Sequence, residues 1–294
     1  MDAIEGRVRF DPAMEGEANM EVDNQLLLSL TPNSPITLRL YRWSAPTLSL
    51  GHFQKEIDID SQWPVAQAAR VRRRTGGGAI LHDQEWTYSL SIPNRPELGL
   101  KGHSEGIYRA VHNAVVVGLR NLGWDAQLSE ECTCALKQDN GKQEPFLCFL
   151  RRSPVDVVVD TYKILGSAQR RANTGLLQHG SFILKRSLLA PQLPGILDLP
   201  RNQPREPGFN QELSLHQEYE AIRPSSDDNV KECTLQVAIG KAPTESSVFP
   251  KPPASSPLSA ISTNKFEDEC AGTWLAEQIM FGVNQIFRCS WQLT

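Results

Sequence analysis

The sequence lacks any excess of basic residues. Its 30 Lys and Arg stand against 34 Asp and Glu, for a formal net charge of −4. That argues against a general nucleic-acid binder, which is normally basic overall. No run of apolar residues approaches the roughly 18 that a membrane-spanning helix needs. The opening Met1-Asp2-Ala3-Ile4-Glu5 has none of the basic-then-apolar order of a secretory signal. The chain is therefore expected to be cytoplasmic, with neither nucleic acid nor membrane as a partner. Apolar residues, at 40%, are slightly few for a compact globule, so part of the 294-residue chain is expected to stay unpacked. Cysteines stand at 132, 134, 148, 233, 270 and 289. They form no disulfide framework of a secreted kind, and the C-x-C of Cys132 and Cys134 has no second pair to complete a zinc site. No metal is expected.

What is present reads as an α+β domain. Asn19 to Leu30 is weakly helical and ends before Pro32. Ile36 to Trp43 alternates as a strand, and Thr47 to Gly51 is a second short one. Val71 to Arg74, Ala79 to His82 and Trp86 to Ile92 continue the β pattern. Ser104 to Leu122 is the clearest helix: Ser104 suits an N-cap, Ile107, Val111, Ala114, Val115, Leu119 and Leu122 keep helical spacing, and Gly123 is placed to stop it. Val155 to Val159, Tyr162 to Leu165 and Gly175 to Leu184 are strand-like. Strands around one long helix, without regular β-α alternation, predict mixed or antiparallel sheets flanked by helices. Nine of the twenty prolines fall between Leu199 and Thr263, where apolar periodicity disappears. Such a segment buries too little apolar surface to offset its ordering entropy. The expected division is an α+β domain over 1–198, a Pro/Ser-rich linker or disordered insertion over 199–263, and a C-terminal helix within 264–294. That helix is carried by Leu275, Ile279, Val283, Ile286 and Phe287 in the pattern from Trp274 to Trp291.

Three segments carry candidate chemistry. In Arg72-Arg73-Arg74-Thr75-Gly76-Gly77-Gly78-Ala79-Ile80-Leu81-His82-Asp83, three glycines without Cβ atoms let backbone approach a bound group closely. Their N–H groups are able to form a donor surface. Strand alternation sends Arg72 and Arg74 one way and Arg73 the other. A plain basic hairpin turn fits the same composition, and an RGG-like nucleic-acid contact is a third reading with little support. In Tyr162-Lys163-Ile164-Leu165-Gly166-Ser167-Ala168, a lysine runs into three small residues. Pointing outward it is an edge-strand charge; pointing inward, burial lowers its pKa from roughly 10.4 and suits it to proton transfer. In Phe146-Leu147-Cys148-Phe149 the thiol suits an inert core position, and at its ordinary pKa of about 8.5 it needs an activating neighbour to act as a nucleophile. Cys148 and Lys163 lie on adjacent segments and are able to meet.

Taken together these segments resemble the lipoate-protein ligase A and octanoyltransferase family, of the biotin/lipoate protein ligase fold. The arginine, spacer and triple-glycine loop followed by His82 is similar to the family's. So are Lys163-Ile164-Leu165-Gly166-Ser167-Ala168-Gln169-Arg170 and the later strand Leu176-Leu177-Gln178-His179-Gly180-Ser181. Tyr41-Arg42-Trp43 and Thr47-Leu48-Ser49-Leu50-Gly51 also look familial. The likeness covers about Asn19 to Leu189. Glu85-Trp86-Thr87-Tyr88-Ser89 resembles the cysteine-dependent octanoyltransferases rather than the ATP-using ligases, which usually show Gly-Asn there. Cys148, shortly before Ser153-Pro154-Val155-Asp156, matches the place of their nucleophile.

The resemblance implies octanoyl or lipoyl transfer to a lysine of a lipoyl-domain protein, and it makes 1–198 the acyl-binding catalytic domain. Cys148 would take the acyl group from octanoyl-acyl carrier protein as a thioester, and Lys163 would orient and relay protons. The acyl group would be bound by Arg73, Gly76, Gly77, Gly78, Ala79, His82, Gly166, Ser167, Ala168 and His179. The acceptors implied are the glycine cleavage H protein or 2-oxoacid dehydrogenase E2 subunits. Arg70, Arg72, Arg74, Arg151, Arg152, Arg170 and Arg171 are candidates for contacting acidic carriers, although a solvated surface fits any one of them. No cofactor is implied for a transferase. The competing reading is an ATP-dependent lipoate ligase working through lipoyl-adenylate, with ATP and Mg2+; a third is a non-catalytic scaffold that binds a carrier protein.

Overall fold

The computed structural model describes residues 4–55, 63–100, 104–132, 145–202, 268–287 and 289–294. Beyond Asn202, the Pro-rich segment expected over 199–263 lies outside the described residues, as do Cys134 and Cys233. The elements are β1 (Ile4–Phe10), α1 (Gly16–Leu28), β2 (Ile36–Tyr41), β3 (Thr47–Leu50), β4 (Ala69–Arg72), β5 (Ile80–His82) and β6 (Glu85–Pro93). They continue with α2 (Ser104–Asn121), β7 (Ala126–Leu128), β8 (Val157–Val159), β9 (Tyr162–Ala172), β10 (Gly175–Ile183), α3 (Asp268–Ile286) and β11 (Cys289–Leu293). Eight strands form one mixed sheet in the order β11-β1-β2-β6-β10-β9-β8-β7, and β4-β3-β5 form a second. The fold class is α+β, as the strand and helix patterns predict.

Strand alternation sorts the two faces of the large sheet. On β6, Trp86 and Tyr88 face one way and Thr87 and Ser89 the other. A Cβ on Gly272 of α3 would come 2.6 Å from the Trp86 indole. Phe182, the register partner of Trp86, packs its ring 5.6 Å from Trp274. Helices α2 and α3 cover that face and pack on each other so closely that a Cβ on Gly282 would lie 2.5 Å from the Ala110 carbonyl. Helix α2 buries Ile107, Val111, Val115 and Leu119. It ends at Gly123, which takes φ +97° as the Trp124 amide turns back to the Leu119 carbonyl. On the other face lie α1 and the small sheet, whose Leu48, Leu50, Ala79 and Leu81 share a core with Phe146 and Leu147.

Several elements differ from the sequence-based expectation. Strand β9 does not stop at Leu165 but continues through Gly166-Ser167-Ala168 to Ala172, because β10 supplies ladder partners along the whole run. The helical pattern expected as far as Trp291 breaks at Ile286, and Cys289–Leu293 forms a strand parallel to β1. There the Trp291 indole lies over Gly6, leaving 2.7 Å to a Cβ placed there. Strands β1 and β7 have no counterpart in the sequence-based expectation; β1's alternation of Ile4, Val8 and Phe10 is interrupted by Gly6, and β7 is only three residues long. No helix among the described residues is long and apolar enough to cross a membrane.

Beneath α1 the sheet buries charge. Arg39, fully buried, donates through Nε to Asp11 at 2.6 Å and through Nη1 to Asp23 at 2.7 Å. Asp23 also accepts Ser89 Oγ at 2.6 Å and Tyr41 OH at 2.9 Å. Burial alone would raise the Asp23 carboxyl, but the His179 hydrogen bond and the Arg39 charge outweigh it and hold it below its ordinary value. A carboxyl whose pKa is lowered in the folded state stabilises the fold above its unfolded pKa of about 3.9 and loses that contribution as pH falls through the folded value. Asp23→Ala is expected to cost roughly 3 to 5 kcal/mol at neutral pH by urea denaturation, since it breaks a buried ion pair, leaves Arg39 with Asp11 as its carboxylate partner, and removes the acceptor of Ser89 and Tyr41. Fluorescence-monitored unfolding that shows less than about 1 kcal/mol of loss would contradict this account.

Candidate active site

Cys148 is brought to its place by its neighbours. Phe146 and Leu147 are buried in the core under the small sheet. The Ala79 amide donates to the Phe146 carbonyl at 3.1 Å, and the Cys148 amide donates to the Ala79 carbonyl at 2.7 Å. This short ladder ties the end of the glycine loop to the cysteine, which opens a single helical turn over Cys148–Leu150. The thiol is half-buried.

Lys163 reaches it from β9. By simple alternation Lys163, three residues before Gly166, would face the opposite side of the sheet. However, one step on β8, Val157 to Val158, is matched by two on β9, Lys163 to Leu165. A bulge of this kind shifts the phase of alternation and re-aims the side chain before it. Lys163 thus lies on Gly166's face, where a Cβ on Gly166 would come 2.6 Å from Nζ. The ammonium is 3.7 Å from Cys148 Sγ, 2.8 Å from Asp156 Oδ2 and 5.3 Å from the centre of the Phe149 ring. Asp156 is itself fixed, accepting the Ser153 amide at 2.7 Å. Burial of the lysine charge is balanced by a carboxylate that is equally buried.

The glycine loop is held from inside by Arg73. Its Nη2 donates to the Gly76 carbonyl at 3.0 Å and the Gly78 carbonyl at 2.5 Å, and its Nη1 to Ser49 O at 2.8 Å and Ser49 Oγ at 3.1 Å. Arg73 is buried while Arg72 and Arg74 are exposed, as alternation predicts. Burial pulls its pKa down to about 10, with the neighbouring Cys148 opposing the shift, so it remains a cation at neutral pH. Of the three glycines, Gly77 adopts φ +95°. Gly78 is needed for another reason: a Cβ there would sit 2.8 Å from Arg151 Nε and 3.1 Å from the Cys148 Cα.

His82 and His179 serve two separate hydrogen-bond chains. His82 lies between Glu85, at 2.7 Å from Nδ1, and Ser49 Oγ, at 2.7 Å from Nε2, with its ring stacked 3.9 Å from Trp43. Burial lowers its pKa and Glu85 opposes the shift. A neutral ring donating to Glu85 must accept from Ser49, which in turn accepts from Arg73; the polarity runs outward from the glycine loop. His179 Nε2 is 2.7 Å from Thr75 Oγ1 and its Nδ1 is 3.5 Å from Asp23. Ser167 is engaged on the far face: its Oγ is 2.7 Å from His112 Nε2 and 2.7 Å from Tyr88 OH. His112 Nδ1 must donate to its partner, the Val155 carbonyl, at 2.5 Å. The remaining ring nitrogen therefore accepts the Ser167 proton, and Ser167 accepts from Tyr88.

Between these groups runs a narrow, mainly apolar cavity. Arg73, Gly76, Gly77, His82, Cys148, Gly166, Ser167, Ala168 and His179 reach it. Gly78 and Ala79 contribute as the backbone that seats Cys148. Most of the candidate residues are thus brought to one place. Among the candidate arginines, Arg72 donates from Nη1 to the carbonyls of Gly51, His52 and Gln54, and Arg151 and Arg152 donate to those of Pro145 and Thr161. Arg70, Arg74 and Arg171 are exposed.

Residues 15–207 match the model of the lipoyl protein ligase A/B catalytic domain. The chain belongs to the lipoyl protein ligase A/B catalytic-domain family. An octanoyltransferase LipM of Kyrpidia tusciae is 38% identical over 202 residues, covering 64% of this chain and 68% of that protein. The octanoyltransferase LipM of Bacillus subtilis is 36% identical over 171 residues, 56% of this chain and 60% of its own length. In fold the chain is similar to a T. acidophilum protein solved with bound lipoic acid, at a TM-score of 0.57 and 14% identity over 99% of this chain and 89% of that one. It is also similar to a lipoate-protein ligase A bound with ATP, at 0.54 and 17%, over 99% and 89%.

Several members of this lipoyl ligase-family site were not picked out as site residues in the sequence: Asp156, Ser49, Glu85, Asp23 and His112. Asp156 had a usable signal. Val159 and Tyr162 pair across the two-residue turn Asp160-Thr161, so counting back along the hairpin places Asp156 beside the lysine. Glu85 lies three residues from its partner His82, while Ser49, Asp23 and His112 are brought in from distant segments by tertiary packing.

Two outcomes are expected. Gly166→Ala should drive Lys163 away from Cys148 and lower acyl transfer by about 10²-fold, with a lowered melting temperature because the displaced lysine leaves the buried Asp156 without its partner. Parent-level activity would show that the lysine's approach to sulfur is dispensable. Burial depresses the His112 pKa to about 4, so the unfolded state binds more protons below about pH 6.5. Stability should fall by roughly 3 kcal/mol between pH 6.5 and 4 on this account, and unfolding curves for His112→Asn should be flatter over that window.

Proposed function

We propose that the chain is an octanoyltransferase that carries an octanoyl or lipoyl group through a Cys148 thioester to a lysine of a lipoyl-domain protein. The observation that carries this reading is the contact of Cys148 Sγ with Lys163 Nζ at 3.7 Å, backed by Asp156 at 2.8 Å, beside an apolar cavity. Relatives named octanoyltransferase LipM support it.

In the first half-reaction the Cys148 thiolate attacks the carbonyl carbon of octanoyl-acyl carrier protein. The Lys163 ammonium stabilises the developing oxyanion. Collapse breaks the donor's C–S bond, and the carrier leaves as a thiol with the proton that Cys148 gave up through Lys163. In the second, a neutral ε-amine of the acceptor attacks the acyl-Cys148 carbonyl. It loses one proton by way of Lys163 and forms the amide as the Cys148 thiolate departs. Asp156 keeps the lysine aimed throughout, and the buried Arg73 cation adds a fixed positive field near the sulfur. The glycine loop, Gly166, Ala168 and His179 line the acyl group. The acceptors are the glycine cleavage H protein or E2 subunits, the proposed location is cytoplasmic, and the transferase reaction takes no cofactor. Arg70, Arg74 and Arg171, exposed and basic, are suited to meet acidic carriers.

Incubation with octanoyl-acyl carrier protein should add one octanoyl mass to Cys148, removable by hydroxylamine. Cys148→Ala should abolish the adduct and lower transfer by about 10³-fold or more. Product that forms without an adduct and depends on ATP, Mg2+ and free lipoate would replace this reading with the ligase one.

A further inference from the structure

The cavity has a direction that the strand register defines. Gly166 on β9 faces Ser181 on β10, Ser181 faces Thr87 on β6, and Thr87 faces Tyr41 on β2. Directly opposed residues of antiparallel strands share a face, and all four line the cavity. They form a straight floor crossing the strands at right angles. Three interstrand spacings make it about 14 Å long from Gly166 to Tyr41. The reacting pair stands at one end, since Lys163 packs against Gly166 and touches Cys148.

The other end is closed by two residues of different character. Tyr41 is fully buried, its hydroxyl bonds Asp23 at 2.9 Å, and Arg39 lies 3.7 Å over its ring. It is immovable. Met20 is the one residue that α1 contributes to the lining, and it is half-buried. Its level along the strands follows from its helix neighbours. Gly16, one turn earlier, abuts Thr47 and Trp43; Asp23, one turn later, meets Arg39, Ser89 and His179, two residues along the strands from the floor row. Met20 therefore stands at the level of Tyr41 and Thr87. An unbranched thioether with no polar tie is the adjustable part of this end wall.

An extended acyl chain advances about 1.3 Å per carbon at ordinary bond lengths, so eight carbons cover about 10 Å. That fills the floor up to the Tyr41 ring and the Met20 side chain. We propose that Met20 is the chain-length stop of the acyl channel and sets its preference for eight carbons. The proposal rests on the acyl-enzyme reading above and adds to it a specificity-determining residue on α1. Removing the thioether opens the channel toward the surface behind α1; enlarging it shortens the channel.

The test offers the full-length chain an equimolar mixture of acyl-acyl carrier proteins from six to fourteen carbons and reads the Cys148 adducts by intact mass. The parent should favour octanoyl. Met20→Ala should raise dodecanoyl relative to octanoyl by about tenfold or more, and Met20→Phe should raise hexanoyl relative to octanoyl by a similar factor, the size expected for misfitted methylenes. Each variant is informative by itself if the other fails to fold. An unchanged chain-length profile in a folded variant overturns the role of Met20 while leaving the acyl-enzyme intact. An absence of any adduct on the parent overturns the acyl-enzyme reading and this inference with it.

Discussion

One extra residue in β9 decides which way Lys163 points. Without the bulge between Lys163 and Leu165, the ammonium would emerge on the α2 face, among apolar side chains and away from the sulfur. With it, the lysine enters the face on which Gly166, Ala168 and the cavity lie, and meets Asp156 from the adjoining hairpin strand. The rest of the site is built to receive that placement. Leu147 is buried so that Cys148 has one position, Ala79 is laddered to it, and Gly78 is small enough to let the cysteine backbone pass. A thiol–amine–carboxylate contact assembled from two strands and a loop thus depends on a local irregularity in pairing.

The polar interior around the cavity would be a liability if its groups were loosely arranged. Here the proton positions are forced. Val155 can only accept, so His112, Ser167 and Tyr88 have one arrangement; Glu85 accepts from His82, so Ser49 and Arg73 follow. Chains of this kind hold their members in single orientations. They also keep the cavity's own walls mainly apolar, because hydroxyls and imidazoles that border it are already committed to partners.

Much of this was legible in the sequence, and unevenly so. The α2 helix was read from Ser104 to its glycine stop because period, N-cap and terminator agreed. The Arg73 alternation was legible for the same reason: a short strand has only two faces. The pairing of Cys148 with Lys163 followed from two adjacent segments and a family likeness. What escaped was whatever depended on register. Nothing in Tyr162 to Ala172 announces a bulge, and the strand pattern of Tyr162 to Leu165 gives out where the glycine and serine begin. Asp23 and His112 come from helices whose faces are set only when the sheet is assembled. The C-terminal strand followed a helix with no turn residue strong enough to separate them in pattern.

The packing of Lys163 against Gly166 has a consequence for how such a chain is able to change. A side chain at 166 and a long amine at 163 compete for the same volume. The two positions therefore behave as a single locus in sequence drift. A chain that keeps the amine is held to glycine at 166, and one that acquires a Cβ there has, in the same step, given up its lysine's reach. The glycine records the lysine, and in a sequence where the strand phase is hidden it is the more readable of the two.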